Sequence, residues 1–122
     1  MTRLGWRRAL SASEIGEGEG RSLVLAGVPI VVYRAGGRFH ALGARCPHAG
    51  GRLSETAVDG AVAVCPSHGW SFRLVDGRCT GFRTAHVPVF RTRLEAGDVW
   101  VRIGWLRPLL FRGVAAHDSP PR

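Results

Sequence analysis

Two short segments, Cys46-Pro47-His48-Ala49-Gly50-Gly51 and Cys65-Pro66-Ser67-His68-Gly69-Trp70, constrain this chain more than any other feature it has. Each offers one thiolate and one imidazole, and sixteen residues separate His48 from Cys65. Thiolates bind zinc and iron-sulfur clusters, and imidazole accepts either metal. The set Cys46, His48, Cys65 and His68 can therefore hold a structural zinc ion or a mixed-ligand 2Fe-2S centre. Either way, the fold has to bring two loops together. Zinc fingers commonly pair Cys with Cys on one knuckle and His with His on a helical turn. Here Cys is paired with His twice.

At 122 residues, 45% of them hydrophobic and 21% charged, the chain has material for one compact core and no room for a second domain. Three cysteines without a signal segment point to metal binding or reduced thiols, not to a disulfide framework. Met1 to Leu10 contains Arg7 and Arg8 and runs into Ser11-Ala12-Ser13-Glu14, so no apolar leader is expected, and no apolar run has the length of a membrane span. The cytoplasm is the expected location. All seventeen basic residues are arginine, and Lys, Asn and Gln are absent, a skew that reflects coding bias before function. The formal charge of +8 is spread from Arg3 to Arg122 with no basic run interleaved with aromatics. That argues against nucleic acid and for a solvated basic surface suited to an acidic protein partner. Glu14, Glu17 and Glu19, separated by glycines, read as a solvated loop.

From residue 20 onwards, short apolar runs punctuated by glycine dominate, and few stretches hold a 3.6-residue period. This is an all-β pattern. Leu23-Val24-Leu25 turns through Ala26-Gly27 into Val28 to Tyr33, and Gly36-Gly37 leads on to Phe39 to Leu42, which predicts two successive hairpins. Asp59-Gly60 separates Ala57-Val58 from Ala61 to Val64, and Asp76-Gly77 separates Trp70 to Leu74 from Arg78-Cys79. A last pair, Val89 to Leu94 and Val99 to Ile103, turns through Ala96-Gly97-Asp98. Seven to nine short strands in a sandwich or small barrel are expected. Residues 10 to 20 read as a loop with one helical turn capped by Ser13.

The segments C-P-H-A-G-G-R-L, from Cys46 to Leu53, and C-P-S-H-G-W-S-F, from Cys65 to Phe72, resemble the Rieske 2Fe-2S family. The resemblance runs roughly from Trp6 to Ile103. It implies an all-β, Rieske-like fold of three small antiparallel sheets with two cluster-binding loops. It also implies one 2Fe-2S cluster, with Cys46 and Cys65 on a buried iron and His48 and His68 on an exposed one. Residues 1–103 would form that domain, and 104–122 a C-terminal extension and tail. Gly50, Gly51 and Gly69 would let backbone amides approach sulfur, while Pro47 and Pro66 would stiffen the loops.

Respiratory-chain members of the family have a disulfide between the loops and hydroxyl donors after the second one. Here Gly51 and Ser67 stand at the disulfide positions, and Trp70 and Phe72 at the hydroxyl positions. The chain is similar instead to the ferredoxin and oxygenase branch. Hydrogen bonds to cluster sulfur stabilise the reduced state, so their loss implies a low potential, near the bottom of the Rieske range at roughly -150 mV. Reduction makes the exposed nitrogens of His48 and His68 more basic, which implies a midpoint that falls with pH in the alkaline range.

The expected function is electron transfer from a reductase to an oxygenase or related terminal enzyme, with no substrate site in this chain. A mononuclear iron site of two histidines and a carboxylate would need a separate domain. A small Rieske-like subunit of a multisubunit reductase, such as nitrite reductase, and a zinc-bound interaction module are the alternatives. Cys79 reads as a buried thiol, His40 as structural or exposed, His117 as part of the tail, and Trp70 as packing or a shield. Gly81 to Pro88 contains Arg83 and His86 and has its proline late for a loop that covers the cluster. Trp105 to Phe111 gathers several large apolar groups and could serve docking or dimerisation.

Overall fold

The structure is a computed structural model, which describes residues 5–45, 51–58, 61–66, 69–81 and 85–103. Ten strands follow one another: β1 (Trp6–Ser11), β2 (Gly20–Leu25), β3 (Val28–Ala35), β4 (Arg38–Gly43), β5 (Ala57–Val58), β6 (Val62–Cys65), β7 (Trp70–Arg73), β8 (Val89–Phe90), β9 (Thr92–Glu95) and β10 (Asp98–Arg102). They form three sheets, ordered β1-β10-β9, β2-β3-β4-β8 and β5-β6-β7, and every pairing is antiparallel. The only helical element among the described residues is a 3-10 turn at Ala12–Glu14.

The β2-β3 and β3-β4 hairpins form where Ala26-Gly27 and Gly36-Gly37 predicted them. Both residues of each pair have positive φ, as do Ala96 and Gly97 between β9 and β10. Mirror-image turns of this kind match the right-handed twist of the strands. In a chain without Asn, alanine takes the left-handed position at residues 26 and 96, at some local steric cost.

There are ten strands where seven to nine were expected, Arg78 and Cys79 form only isolated bridges, and three further features differ from the expectation. The strand β1 was not legible, because a bulge between Arg8 and Leu10 breaks its alternation. The expected strand Val89 to Leu94 divides at Arg91: Val89 and Phe90 pair with Leu42 and Ala41 of β4, while Thr92–Glu95 joins β10 in another sheet. The helical turn is capped at Ser11, not Ser13, with the Glu14 carboxylate accepting the Ser11 N–H at 3.0 Å. Asp59-Gly60, Arg83, His117 and the stretch Trp105 to Phe111 lie outside the described residues.

The strand β3 is a wall shared by two cores. Val31, Tyr33 and Ala35 face a core with Leu42, Leu53, Cys65 and Phe72. Val28, Ile30 and Val32 face the other, with Leu10, Phe90, Val99 and Val101. A strand covered on both faces needs a nearly continuous apolar run, which Val28 to Tyr33 supplies.

The acidic residues serve the fold. Glu17 accepts the N–H groups of Gly36 and Gly37, and Glu19 accepts that of Gly16 at 2.8 Å. Ion pairs join Arg21 to Glu14, Arg8 to Asp98, Arg73 to Asp76 and Arg93 to Glu95.

Gly77 sets the approach of residues 85–88 to β7. Its φ is +76°, its N–H donates to Arg73 O at 2.7 Å, and its carbonyl accepts the Val87 N–H at 2.9 Å. A Cβ there would lie 2.2 Å from the Val87 carbonyl oxygen, a backbone atom that no side-chain rotation can clear. Gly77→Ala is expected to destabilise the domain by more than about 2 kcal/mol, read as a lower denaturation midpoint in urea.

Candidate metal centre

The chain enters the first loop from β4 and leaves it through Arg52 and Leu53. Arg45 and Arg52 face each other in an isolated antiparallel bridge, and the Leu53 N–H donates to Ala44 O at 2.9 Å. Ala44 in turn donates its N–H to Pro29 O at 3.0 Å, which fixes this neck to the start of β3. The second loop closes the β6-β7 hairpin, whose last pair is Cys65 with Trp70. Gly69 has φ +72° and donates its N–H to the Cys65 carbonyl at 2.8 Å. The glycine there serves the left-handed turn. Its amide is spent on that carbonyl, unlike the expected approach to sulfur.

The residues that follow the first loop tie the two necks together. The Ser54 N–H donates to Val64 O at 2.7 Å, next to Cys65, and the Tyr33 hydroxyl donates to Ser54 O at 2.6 Å. Gly20 donates its N–H to Glu55 O at 2.7 Å, and Ser22 donates its own to the Glu55 carboxylate at 2.6 Å. This bond holds the Glu55 carboxyl below the usual carboxylate range, and burial pushes the Tyr33 phenol well above its ordinary value. Residues 53–57 are thus sewn to β2-β3 on one side and to β6 on the other. Sequence reasoning missed this tie, since a side chain reaching a distant carbonyl leaves no periodic signal.

Cys65 is the expected ligand that the structure places. It is fully buried at the end of β6, free of any disulfide, in one core with Ala44, Leu53, Phe72 and Cys79. Cys46, His48, Gly50 and His68 lie outside the described residues. The described flanks nevertheless fit a group held from two sides, because the segments leading to all four expected ligands start from necks joined by one backbone hydrogen bond.

The neighbours of the site also have defined places. Trp70 is half-buried, packs on this core, and its ring centroid lies 6.5 Å from that of the buried Phe72 at an interplanar angle of 52°. Cys79 is a buried free thiol whose backbone forms an isolated antiparallel β-bridge with Phe72, and the backbones of Arg78 and His86 form another. His40 sits half-buried in β4 opposite Tyr33.

A family model described as Rieske [2Fe-2S] domain matches residues 5–91. Ferredoxin CarAc of Metapseudomonas resinovorans is 34% identical over 102 residues, which cover 79% of this chain and 92% of that protein. Among solved structures, the chain superposes on the complex of reduced oxygenase and oxidized ferredoxin in carbazole 1,9a-dioxygenase. The TM-score is 0.74 at 32% identity, covering 82% of this chain and 94% of that one. A Mycobacterium tuberculosis structure described as an NADH-dependent nitrite reductase small subunit gives a TM-score of 0.67 at 25% identity, covering 79% and 92% of the two chains.

Tyr33→Phe removes the donor to Ser54 O and leaves a part-buried carbonyl unpaired. It is expected to cost about 1–2 kcal/mol in chemical denaturation and to speed metal loss to a chelator. Burial, followed by the nearby Arg38 charge, holds the His40 imidazole below its ordinary range. The unfolded chain therefore binds this proton more readily than the folded one, and stability falls as the pH drops from about 7 towards 5. Denaturation of His40→Gln across that window is expected to show a shallower slope.

Proposed function

This chain belongs to the family of Rieske [2Fe-2S] domains, and on that premise we propose that it is the ferredoxin of a multicomponent system, passing single electrons from a reductase to a terminal oxygenase. Cys46 and Cys65 would hold one iron, and His48 and His68 the other. The observation that carries the reading is the tie from Ser54 to Val64, which sets the necks of both Cys/His loops side by side. Bound there, a 2Fe-2S cluster supplies a reversible one-electron couple.

The chain's own residues do the rest. Cys65 is anchored at a strand end inside the core, and the Gly69 bond to its carbonyl closes the loop behind it. Such a frame limits movement when charge changes. Residues 1–103 form the Rieske domain in this reading, and 104–122 a C-terminal extension and tail. The coverage of 92% of ferredoxin CarAc supports a carrier without a substrate site of its own. The reading places it in the cytoplasm, where Cys79 stays reduced.

Trp70 and Phe72 occupy the positions where hydroxyl donors would raise the potential, so the couple is placed near the low end of the Rieske range, roughly -150 mV. Electron paramagnetic resonance of the reduced protein tests the ligand set, and the mixed-ligand 2Fe-2S signal is the expected result. One zinc per chain with neither iron nor sulfide would reject the reading. Phe72→Tyr adds a hydroxyl to the core that contains Cys65 and is expected to move the midpoint upward in a redox titration.

The likeness to the M. tuberculosis nitrite reductase small subunit favours a second reading, a subunit of a larger reductase. A stable stoichiometric complex with the catalytic subunit, in place of a transient encounter, would select it.

A further inference from the structure

Arg45 and Arg52 are exposed and stand directly opposite each other across the bridge that closes the first loop. Their Cβ atoms are then roughly 5 Å apart on one face, and like charges placed this way oppose folding. Their neighbours Ala44 and Leu53 are buried and account for the neck without them. Neither arginine has an ion pair or a side-chain hydrogen bond among the described residues, where every carboxylate already holds a partner within the chain. A cationic pair with no acidic partner among the described residues thus sits on the rim of the loop that carries Cys46 and His48.

We propose that Arg45 and Arg52 form a two-point cationic contact for an acidic face of the protein that exchanges electrons with this chain. The proposal rests on the electron-transfer reading above. A carboxylate-bearing partner that pairs with both guanidinium groups is brought to the loop through which the electron must pass. It also relieves the repulsion between them. Nucleic acid phosphates would also pair with two guanidinium groups, but the arginines of the chain are scattered and no aromatic interleaving accompanies the pair. Charge complementarity of this kind speeds encounter and is weakened by salt.

The test uses the full-length, cluster-loaded protein, the variant Arg45→Glu/Arg52→Glu and the charge-matched control Arg7→Glu/Arg38→Glu. Arg7 lies on β1, outside the core that contains Cys65, and Arg38 lies at the other end of β4, roughly 20 Å along the strand from Arg45. Calorimetric titration with polyglutamate, a mimic of an acidic protein face, reads binding independently of the cluster. Affinity at low salt is expected to fall about tenfold or more in Arg45→Glu/Arg52→Glu and clearly less in the control. In stopped flow, the reduced protein passes one electron to ferricyanide, giving ferrocyanide. That rate is expected to fall in the same order, while oxidation by the cation tris(phenanthroline)cobalt(III) accelerates.

Midpoints measured for each variant separate driving force from docking. Equal losses in the two double variants would reduce the effect to net charge and overturn the proposal, as would tighter binding of polyuridylate than of polyglutamate. If charge reversal disturbs the cluster, Arg45→Gln/Arg52→Gln should show the same ordering with a smaller effect. Loss of the Rieske spectrum from the unmodified protein would instead count against the electron-transfer reading, and the polyglutamate result would still stand or fall by itself.

Discussion

The hydrogen bond from the Ser54 amide to the Val64 carbonyl is the contact on which the site depends. It joins the exit of one Cys/His loop to the strand that delivers Cys65, and the Tyr33 hydroxyl locks the other side of Ser54 to the central sheet. Without that tie, each loop would be an independent turn on its own hairpin. Ligands from two loops reach one group only if the loop necks are held in register, and these backbone bonds hold the necks of the two Cys/His segments in register.

The central sheet makes such precision possible because its strand β3 is covered on both faces. Alternate residues of β3 belong to different cores, one containing Cys65 and Phe72, the other containing Val99 and Val101. Tyr33 stands on the face that shares a core with Cys65, so the group that positions Ser54 is itself fixed by close packing. The small β5-β6-β7 sheet puts Ala63, Cys65 and Phe72 into the same core, and residues 53–57 tie it to β2 and β3 through their backbone and side-chain groups.

Charge is distributed with the same economy. The described carboxylates cap turns, accept backbone amides or pair with arginines, while Arg45 and Arg52 are left facing each other at the mouth of the first loop. The acids stay at the surface but are engaged within the chain, so the arginines without an acidic partner among the described residues set the local potential. The local arrangement at the neck, more than the formal +8, distinguishes the loop rim from the rest of that surface.

The all-β class, the hairpins at Ala26-Gly27 and Gly36-Gly37 and the candidate ligands were legible in the sequence, because alternation, turn residues and Cys/His spacing are local signals. Rieske membership followed from the same two segments. The tertiary structure decided what depends on distant partners. The bulge at Arg8 to Leu10 hides β1, the break at Arg91 sends one apolar run into two sheets, and the amide of Gly69 goes to the Cys65 carbonyl. Glu14 and Glu19, which read as a solvated loop, accept amides three residues away, while Glu17 accepts those of Gly36 and Gly37, which only folding brings near. The two Cys/His segments named the chemistry by themselves, but the tie that runs from Tyr33 through Ser54 to Val64 and joins their necks links strands that no local pattern records as neighbours.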